Sequence, residues 1–474
     1  MVRRGLFLLL ALSLAGCKAV GPDYRVPAAA AVNTPEAQGE FLSARSVTAD
    51  APLRDHWWQL FNDALLDGLI TRALAANIDL RVADANLERS LALLSVRGAD
   101  RDWQGNLAAE TSYAQRSAEA ELSHVQPPRR QIYNAGLAFS YDLDLFGGLR
   151  RGIEAASADA EAAVAARDLV RINVAAETAR AYADICNGGY QLDTLERSIA
   201  LLAQSLELTR TLVKYGRAAP YEVDRRQGLL AAARARLPRL AARRQNALFR
   251  IAALQGRTPE QADSSVLTCR RQIRLAQAIP VGDGAALLRR RPDIRMAERR
   301  LAASTARIGV ETAALYPDIR LGASLGSTGA AADALSPLTN RYGIGPLIGW
   351  TLNRRGARAR IEAAEAQAKA DLAAFDGTVI KALREVQTAL NAYAAGLDSQ
   401  ADLDRARDEA ALVARTTAQL RRGGMIAALP AIEAERDLVS AELTVAEAQA
   451  ATNDDQITLF LALGGGWGPA AAQP

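Results

Sequence analysis

Two hydrophobic periodicities alternate along this chain, and each occurs twice. Odd positions from 133 to 145 read Tyr, Ala, Leu, Phe, Tyr, Leu, Leu, while the even positions between them read Asn, Gly, Ala, Ser, Asp, Asp. Ile319, Leu321, Ala323 and Leu325 alternate with Arg320, Gly322, Ser324 and Gly326. Tyr342, Ile344, Ile348, Trp350 and Leu352 alternate with Gly343, Gly345, Leu347, Gly349 and Thr351, and a weaker alternation runs over 107–116. A period of two predicts strands with one apolar and one polar face. Beyond each strand pair the apolar positions recur every three or four residues, as at Leu195, Ile199, Leu202 and Leu206, and at Leu383, Val386 and Leu390. There is no proline between Pro128 and Pro220, nor between Pro346 and Pro430. A helix from 149 to 213 would extend roughly 95 Å at about 1.5 Å per residue. Glycine-containing turns at 214–223 (KYGRAAPYEV) and 421–432 (RRGGMIAALPAI) break the helical runs.

The two halves also match in sequence. NIDLRVADANL (77–87) is answered by RPDIRMAERRL (291–301), and LRRGIEAA (149–156) by ARARIEAA (357–364). Self-similarity of this kind points to one duplicated architecture. Alternating strands fit any half-buried sheet, and a soluble periplasmic coiled coil is the bland reading of the helices. The sharper reading is transmembrane β-strands of about 9–11 residues, lipid-facing on one side and lumen-facing on the other. Polar loops join each pair, with His124, Pro127 and Pro128 in one and 327–337 in the other. Four strands cannot close a barrel and an open edge is not tolerated in lipid, so the chain is expected to oligomerise.

Composition narrows the chemistry. Histidine occurs only at 56 and 124, which leaves little for metal or acid–base constellations, and no nucleophile–base pair or phosphate loop is visible. No catalytic residue, metal ligand or cofactor is expected. Charges nearly balance, 57 basic against 53 acidic for a net +4, and they are interspersed at helical spacing. Nucleic-acid binding would need a concentrated basic face and is not expected.

The first residues read as an export signal. Arg3 and Arg4 precede an apolar stretch, Leu6 to Leu14, too short to span a bilayer permanently. Leu14-Ala15-Gly16-Cys17 resembles a bacterial lipobox, so Cys17 is the candidate lipidation site, with residues 1–16 removed. Residue 18 is Lys and not Asp, which by the enteric sorting rule directs the lipoprotein to the outer membrane. Cys186 and Cys269 remain, an even pair in a compartment that favours disulfides. They are read either as a disulfide or as two inert buried thiols.

Taken together, the motifs resemble the TolC-like outer-membrane efflux proteins, in their lipoprotein (NodT-type) branch. The residues that carry the likeness are LAGC followed by GPDY (21–24), WWQLFND with LLDGLI (57–70), SYDLDLFGGLRR (140–151), LLRRRPDIRMAERRLAASTARIGVETAALYPDI (287–319) and ALGGGW (462–467). The resemblance implies a mainly α fold with transmembrane β, built as a duplicated strand-strand-long helical hairpin. It implies a homotrimer with a 12-stranded outer-membrane β-barrel continued by a 12-helix periplasmic α-barrel. The implied partners are a periplasmic adaptor and an inner-membrane transporter, commonly of the resistance–nodulation–division type, with outer-membrane lipid around the strands. The protein would conduct small toxic compounds passively. The duct of a type I protein-secretion system and a structural periplasmic lipoprotein without a pore are the alternatives.

On this reading residues 1–16 are signal peptide and 17–104 the lipidated segment with the first equatorial or periplasmic helices. Residues 105–145 are the first strand pair, 146–256 the first long hairpin and 257–290 an equatorial linker. A helix over 291–317 opens the second copy, with strands over 318–353, a long hairpin over 354–464 and a tail over 465–474. Alignment to the family's tip motif puts Leu429 on an apolar constriction and Glu433 on an acidic ring of the gate. Their plainer readings are coiled-coil core and a solvated helix carboxylate. Ile426, Arg421 and Pro430 depart from the motif, and Pro430, tolerated only in a first turn, predicts a later start for the last helix. Gly216, Arg217, Gly423 and Gly424 are the candidate adaptor-docking tips.

Overall fold

The computed structural model describes residues 19–42, 48–49, 56–119, 122, 124–275, 278–334 and 336–465. The lipidation candidate Cys17 and the tail 466–474 lie outside the described residues. The main elements in chain order are α1 (Ala64–Ala76), α2 (Ile78–Ala99), β1 (Gln104–Ala114), β2 (Arg130–Asp142), α3 (Gly148–Lys214) and α4 (Tyr221–Leu254), then α5 (Pro292–Ala313), β3 (Asp318–Ala330), β4 (Asn340–Gly349), α6 (Arg354–Arg422) and α7 (Ala428–Ala462). The sequence duplication is thus a duplication of helix, strand, strand, long helix and shorter helix. Helices α3 and α6 run 67 and 69 residues, far beyond the roughly 11–12 of an average helix. Such length needs a partner along its whole course, because most helical stability comes from tertiary packing of one face.

The chain divides into two compact units. The first holds the residues up to Pro27, Asn86–Val164 and Met296–Phe375. Its centre is a four-stranded antiparallel sheet of order β1-β2-β3-β4. Strand β2 ends at Asp142 although the alternation runs on to Leu145. Asp144 takes a left-handed φ of 42°, and its carboxylate accepts from Leu149 N at 2.8 Å and Arg150 N at 3.0 Å. That caps the otherwise unsatisfied amides at the start of α3, so helix initiation stops the strand. Phe146 stacks on Tyr316 with centroids 4.5 Å apart. GPDY is the strap of this unit. Gly21 packs against Gly309, where a side chain on either would clash, Asp23 pairs with Arg151 at 2.6 Å, and the Tyr24 hydroxyl donates to Glu298 at 2.7 Å.

The second unit, Ala28–Ala85, Ala165–Arg295 and Asp376 onward, holds the principal hydrophobic core. WWQLFND supplies its centre. Trp57 is fully buried and stacks on Phe460 at 4.4 Å. Asp63 accepts from Leu65 N and Leu66 N, capping α1, and also receives the Tyr182 hydroxyl at 2.8 Å and Arg271 at 2.6 Å. Burial beside that carboxylate pushes the Tyr182 phenol well above its ordinary range. A two-residue parallel pair, Thr48–Ala49 with Ile279–Pro280, ties the early chain to the linker.

Candidate functional site: a two-faced sheet and two helix tips

The strand register collects all the apolar alternations on one face of the sheet. Leu107, Leu137, Leu325 and Tyr342 form one row across the four strands, and Phe139, Ala323 and Ile344 lie in the next. Most of these side chains stand exposed among the described residues: Tyr342 is 88 % exposed, Ile344 80 % and Leu107 76 %. The opposite face reads Ala108, Gly136, Gly326, Arg341 in one row and Asn106, Ala138, Ser324, Gly343 in the next. Apolar surface of this extent on a soluble face would be an association or membrane site.

Aromatic residues bracket the apolar face. Trp103 lies 5.2 Å from Tyr141 at the helix-proximal end, where Trp350 Nε1 donates to Leu315 O. Tyr113 and Tyr133 stand toward the loop end of the register, and Tyr342 in the middle row. The eight residue steps from Tyr133 to Tyr141 span about 26 Å along the strand at roughly 3.3 Å each, or about 20 Å of height at a tilt near 40°. That suits the apolar band between interfacial girdles of a membrane barrel. Among the described residues, strands β1 and β4 each leave one edge unpaired. No described helix is long and apolar enough to cross a membrane.

Both helical hairpins turn through the same backbone device. At the first, Gly216 takes φ 66° and Arg217 N donates to Leu212 O at 2.8 Å. At the second, Gly424 takes φ 72° and Met425 N donates to Leu420 O at 2.9 Å. Each is a left-handed C-cap closing the last carbonyls of a long helix. Gly216 therefore corresponds to Gly424 and Arg217 to Met425. Gly423 occupies the place of Tyr215 and has no positive φ; the closest atom to a Cβ there would be the flexible end of Met425, at 3.2 Å.

The gate candidates lie just past the second turn. Leu429 is half-buried in the first turn of α7, and Pro430 stands beside it in the same turn. Glu433 is engaged by its own chain: Arg226 Nη2 donates to it at 2.6 Å while Arg226 Nη1 donates to Ser205 Oγ at 2.7 Å. This clasp holds α7 against α4 close to both tips.

Cys186 in α3 is bonded to Cys269, 83 residues on. The surrounding contacts explain two mid-helix glycines that the sequence reading passed over. A Cβ at Gly189 would lie 2.4 Å from the Cys269 carbonyl, and one at Gly188 2.8 Å from Arg244 Cγ. Arg244 donates to the carbonyls of Ile185, Leu267 and Cys269, and burial holds its basicity below the ordinary arginine value. The RRRPD run has a comparable role. Arg291 donates to Ala462 O and to Asp293 and Glu385, while Arg290 Nε donates to Leu463 O. The pair closes the C-terminal carbonyls of α7, and burial lowers Arg290 to about 10. Consecutive arginines before a proline were the only signal for this cap. Among the described residues no group of three or more His, Cys, Asp or Glu could hold a metal ion.

Comparison with known proteins gives the same architecture a context. The sequence model of the family described as Outer membrane efflux protein matches residues 69–257 and 285–465, one segment for each copy of the duplication. Nodulation protein T of Rhizobium leguminosarum bv. trifolii is 27 % identical, covering 97 % of both chains. The toluene efflux pump outer membrane protein TtgI of Pseudomonas putida is 29 % identical over 96 % of this chain and 97 % of its own. The solved structure of the outer-membrane channel OprN superposes with a TM-score of 0.84 at 33 % identity, covering 95 % of this chain and all of that one.

Proposed function

Because the chain belongs to the outer membrane efflux protein family, we propose that it is the outer-membrane exit duct of a tripartite efflux pump. Three copies close their sheets edge to edge, β4 of one against β1 of the next, into a 12-stranded barrel. The long hairpins continue that wall as a 12-helix α-barrel in the periplasm. The partners are a periplasmic adaptor and an inner-membrane transporter of the resistance–nodulation–division type, which supplies the energy. The duct itself catalyses no reaction and conducts small toxic compounds passively.

The observation that carries this reading is the register of the sheet. It places every strong apolar alternation on one face and Asn106, Gly136, Ser324, Gly326 and Gly343 on the other, with both outer edges open among the described residues. Unpaired edges in hydrocarbon leave backbone groups unsatisfied at several kcal/mol each, so the arrangement is stable in a membrane only when closed. Lipidation of Cys17 would add an anchor to the outer membrane without spanning it. At the tips, Leu429 and Glu433 remain the gate candidates, with Glu433 acting through its clasp to Arg226.

The test combines two readouts. A deletion strain is screened against antibiotics, solvents and metal ions, and the purified protein is inserted into planar bilayers. Sensitisation reversed by the gene, with stepwise conductance from the protein, is the expected result. An unchanged resistance profile together with electrically silent, fully assembled protein would contradict the reading.

A further inference from the structure

We propose that the start of α6 is a docking surface for the phosphate headgroups of anionic phospholipid, built from Arg354, Arg355 and Arg358. The inference rests on the reading of the sheet as membrane-spanning and names the lipid chemistry met at its helix-proximal rim. All three side chains are exposed. Arg360 pairs with Glu311 at 2.9 Å, whereas these three belong to no ion pair among the described residues. Residues 334–361 contain no carboxylate, and the first one on α6, Glu362, lies a turn beyond Arg358.

The duplication supplies an internal control. Matching LRRGIEAA (149–156) to ARARIEAA (357–364) sets Arg150 against Arg358, Asp144 against Leu352, and Phe146 and Gly147 against Arg354 and Arg355. In the first copy Asp144 caps α3 and holds Arg150 at 3.1 Å, and Arg151 is held by Asp23 and Glu154. Each of those arginines meets a carboxylate of its own chain. In the second copy the capping carboxylate is absent, its position is taken by Leu352, 76 % exposed, and two further arginines are present.

Helix stability does not account for them. The macrodipole favours anions in a first turn and opposes cations there, and α6 has no acidic residue in that turn. Location does account for them. Trp350 continues the apolar alternation of β4 at the helix-proximal end, and the Arg354 guanidinium lies over its ring at 5.0 Å. Arg358 follows four residues later on the same helix face. Interfacial tryptophans sit at headgroup level, and a guanidinium matches phosphate with two N–H donors at once. Free inorganic phosphate would satisfy the same donors, and an acidic protein the same charges. The membrane is favoured because the cluster is continuous with the apolar face through Trp350 and Leu352.

The experiment uses the full-length protein purified in detergent. It is titrated with dioleoylphosphatidylglycerol or with zwitterionic dioleoylphosphatidylcholine, and the lipid bound per assembly is read by native mass spectrometry. Wild type is compared with R354Q/R355Q/R358Q, with L352D, and with R384Q/R405Q/R415Q, which removes the same charge further along α6. Wild type should hold the anionic lipid at least about tenfold more tightly than the zwitterionic one, since each surface arginine adds attraction to anionic lipid. The preference should shrink as salt rises. The first triple variant should lose it, L352D should weaken it by restoring the carboxylate of the first copy, and the second triple variant should keep it. An unchanged preference in R354Q/R355Q/R358Q would overturn the proposal and leave the charges to a protein partner. An equal loss in R384Q/R405Q/R415Q would reduce the effect to net charge and overturn it too. Inorganic phosphate that abolishes the preference at an ionic strength where chloride does not would mark a free-anion site, with the same consequence. If the first triple variant fails to assemble, L352D decides alone, and a wild-type preference in it would overturn the proposal. Wild-type protein that inserts into liposomes of neither lipid would overturn the membrane reading itself, whereas inserted protein without a preference counts against this proposal only.

Discussion

At the residue scale, glycines and arginines carry most of the specification. The two tip turns depend on a left-handed residue at Gly216 and Gly424, where a side chain costs about 1–2 kcal/mol. Gly424→Ala should lower the melting temperature of the assembled protein, while the neighbouring Gly423→Ala should leave it within about 0.5 kcal/mol. Equal effects at the two positions would refute the assignment of Gly424 as the turn residue. The sequence showed a double glycine and a turn; which of the two bends the chain became visible only through the hydrogen bond from Met425 to Leu420. Glu433 teaches the same lesson. Its spacing marks it as a carboxylate near the tip, but its partner Arg226 lies 207 residues away. Replacing Glu433 by Gln should destabilise the tips by about 1–2 kcal/mol, since it weakens a charged hydrogen bond to a buried guanidinium. Thermal unfolding of the two proteins side by side would measure it.

At the element scale, the alternating strands and proline-free helices were legible because their periods are long and unbroken. Strand ends were not. The alternation continues through Leu143 and Leu145, and only the capping of α3 by Asp144 decides where β2 stops. The linker was the least legible element, since its position depends on distant contacts: Cys269 on Cys186, the carbonyls of Leu267 and Cys269 on Arg244, and Ile273 N on Asn187. Gly189→Ala should cost about 1–3 kcal/mol by forcing that backbone outward. Changing Cys186 and Cys269 to Ser together should remove about 2–4 kcal/mol yet leave the linker held by Arg244 and Asn187. Denaturant midpoints for the two variants, with alkylation of the wild type before and after reduction, check both statements. A wild-type protein that alkylates at both cysteines without reductant would dispose of the bond.

At the scale of the whole molecule, the duplication was readable from matched segments, and the family from motifs spread along the chain. What a single chain cannot display is closure. Exposed rows such as Leu107, Leu325 and Tyr342, and the free edges of β1 and β4, make sense only when lipid and further copies cover them. Native mass spectrometry from detergent should accordingly give a trimer, and a stable monomer would remove the barrel. The most direct test of a lipid-facing and a water-facing side is spin-label accessibility along residues 132–141 in liposomes. Oxygen, which partitions into lipid, should relax labels at 133, 135, 137, 139 and 141. A water-soluble nickel complex should relax those at 134, 136, 138 and 140. A flat profile, or one in which both reagents peak at the same positions, would contradict the account.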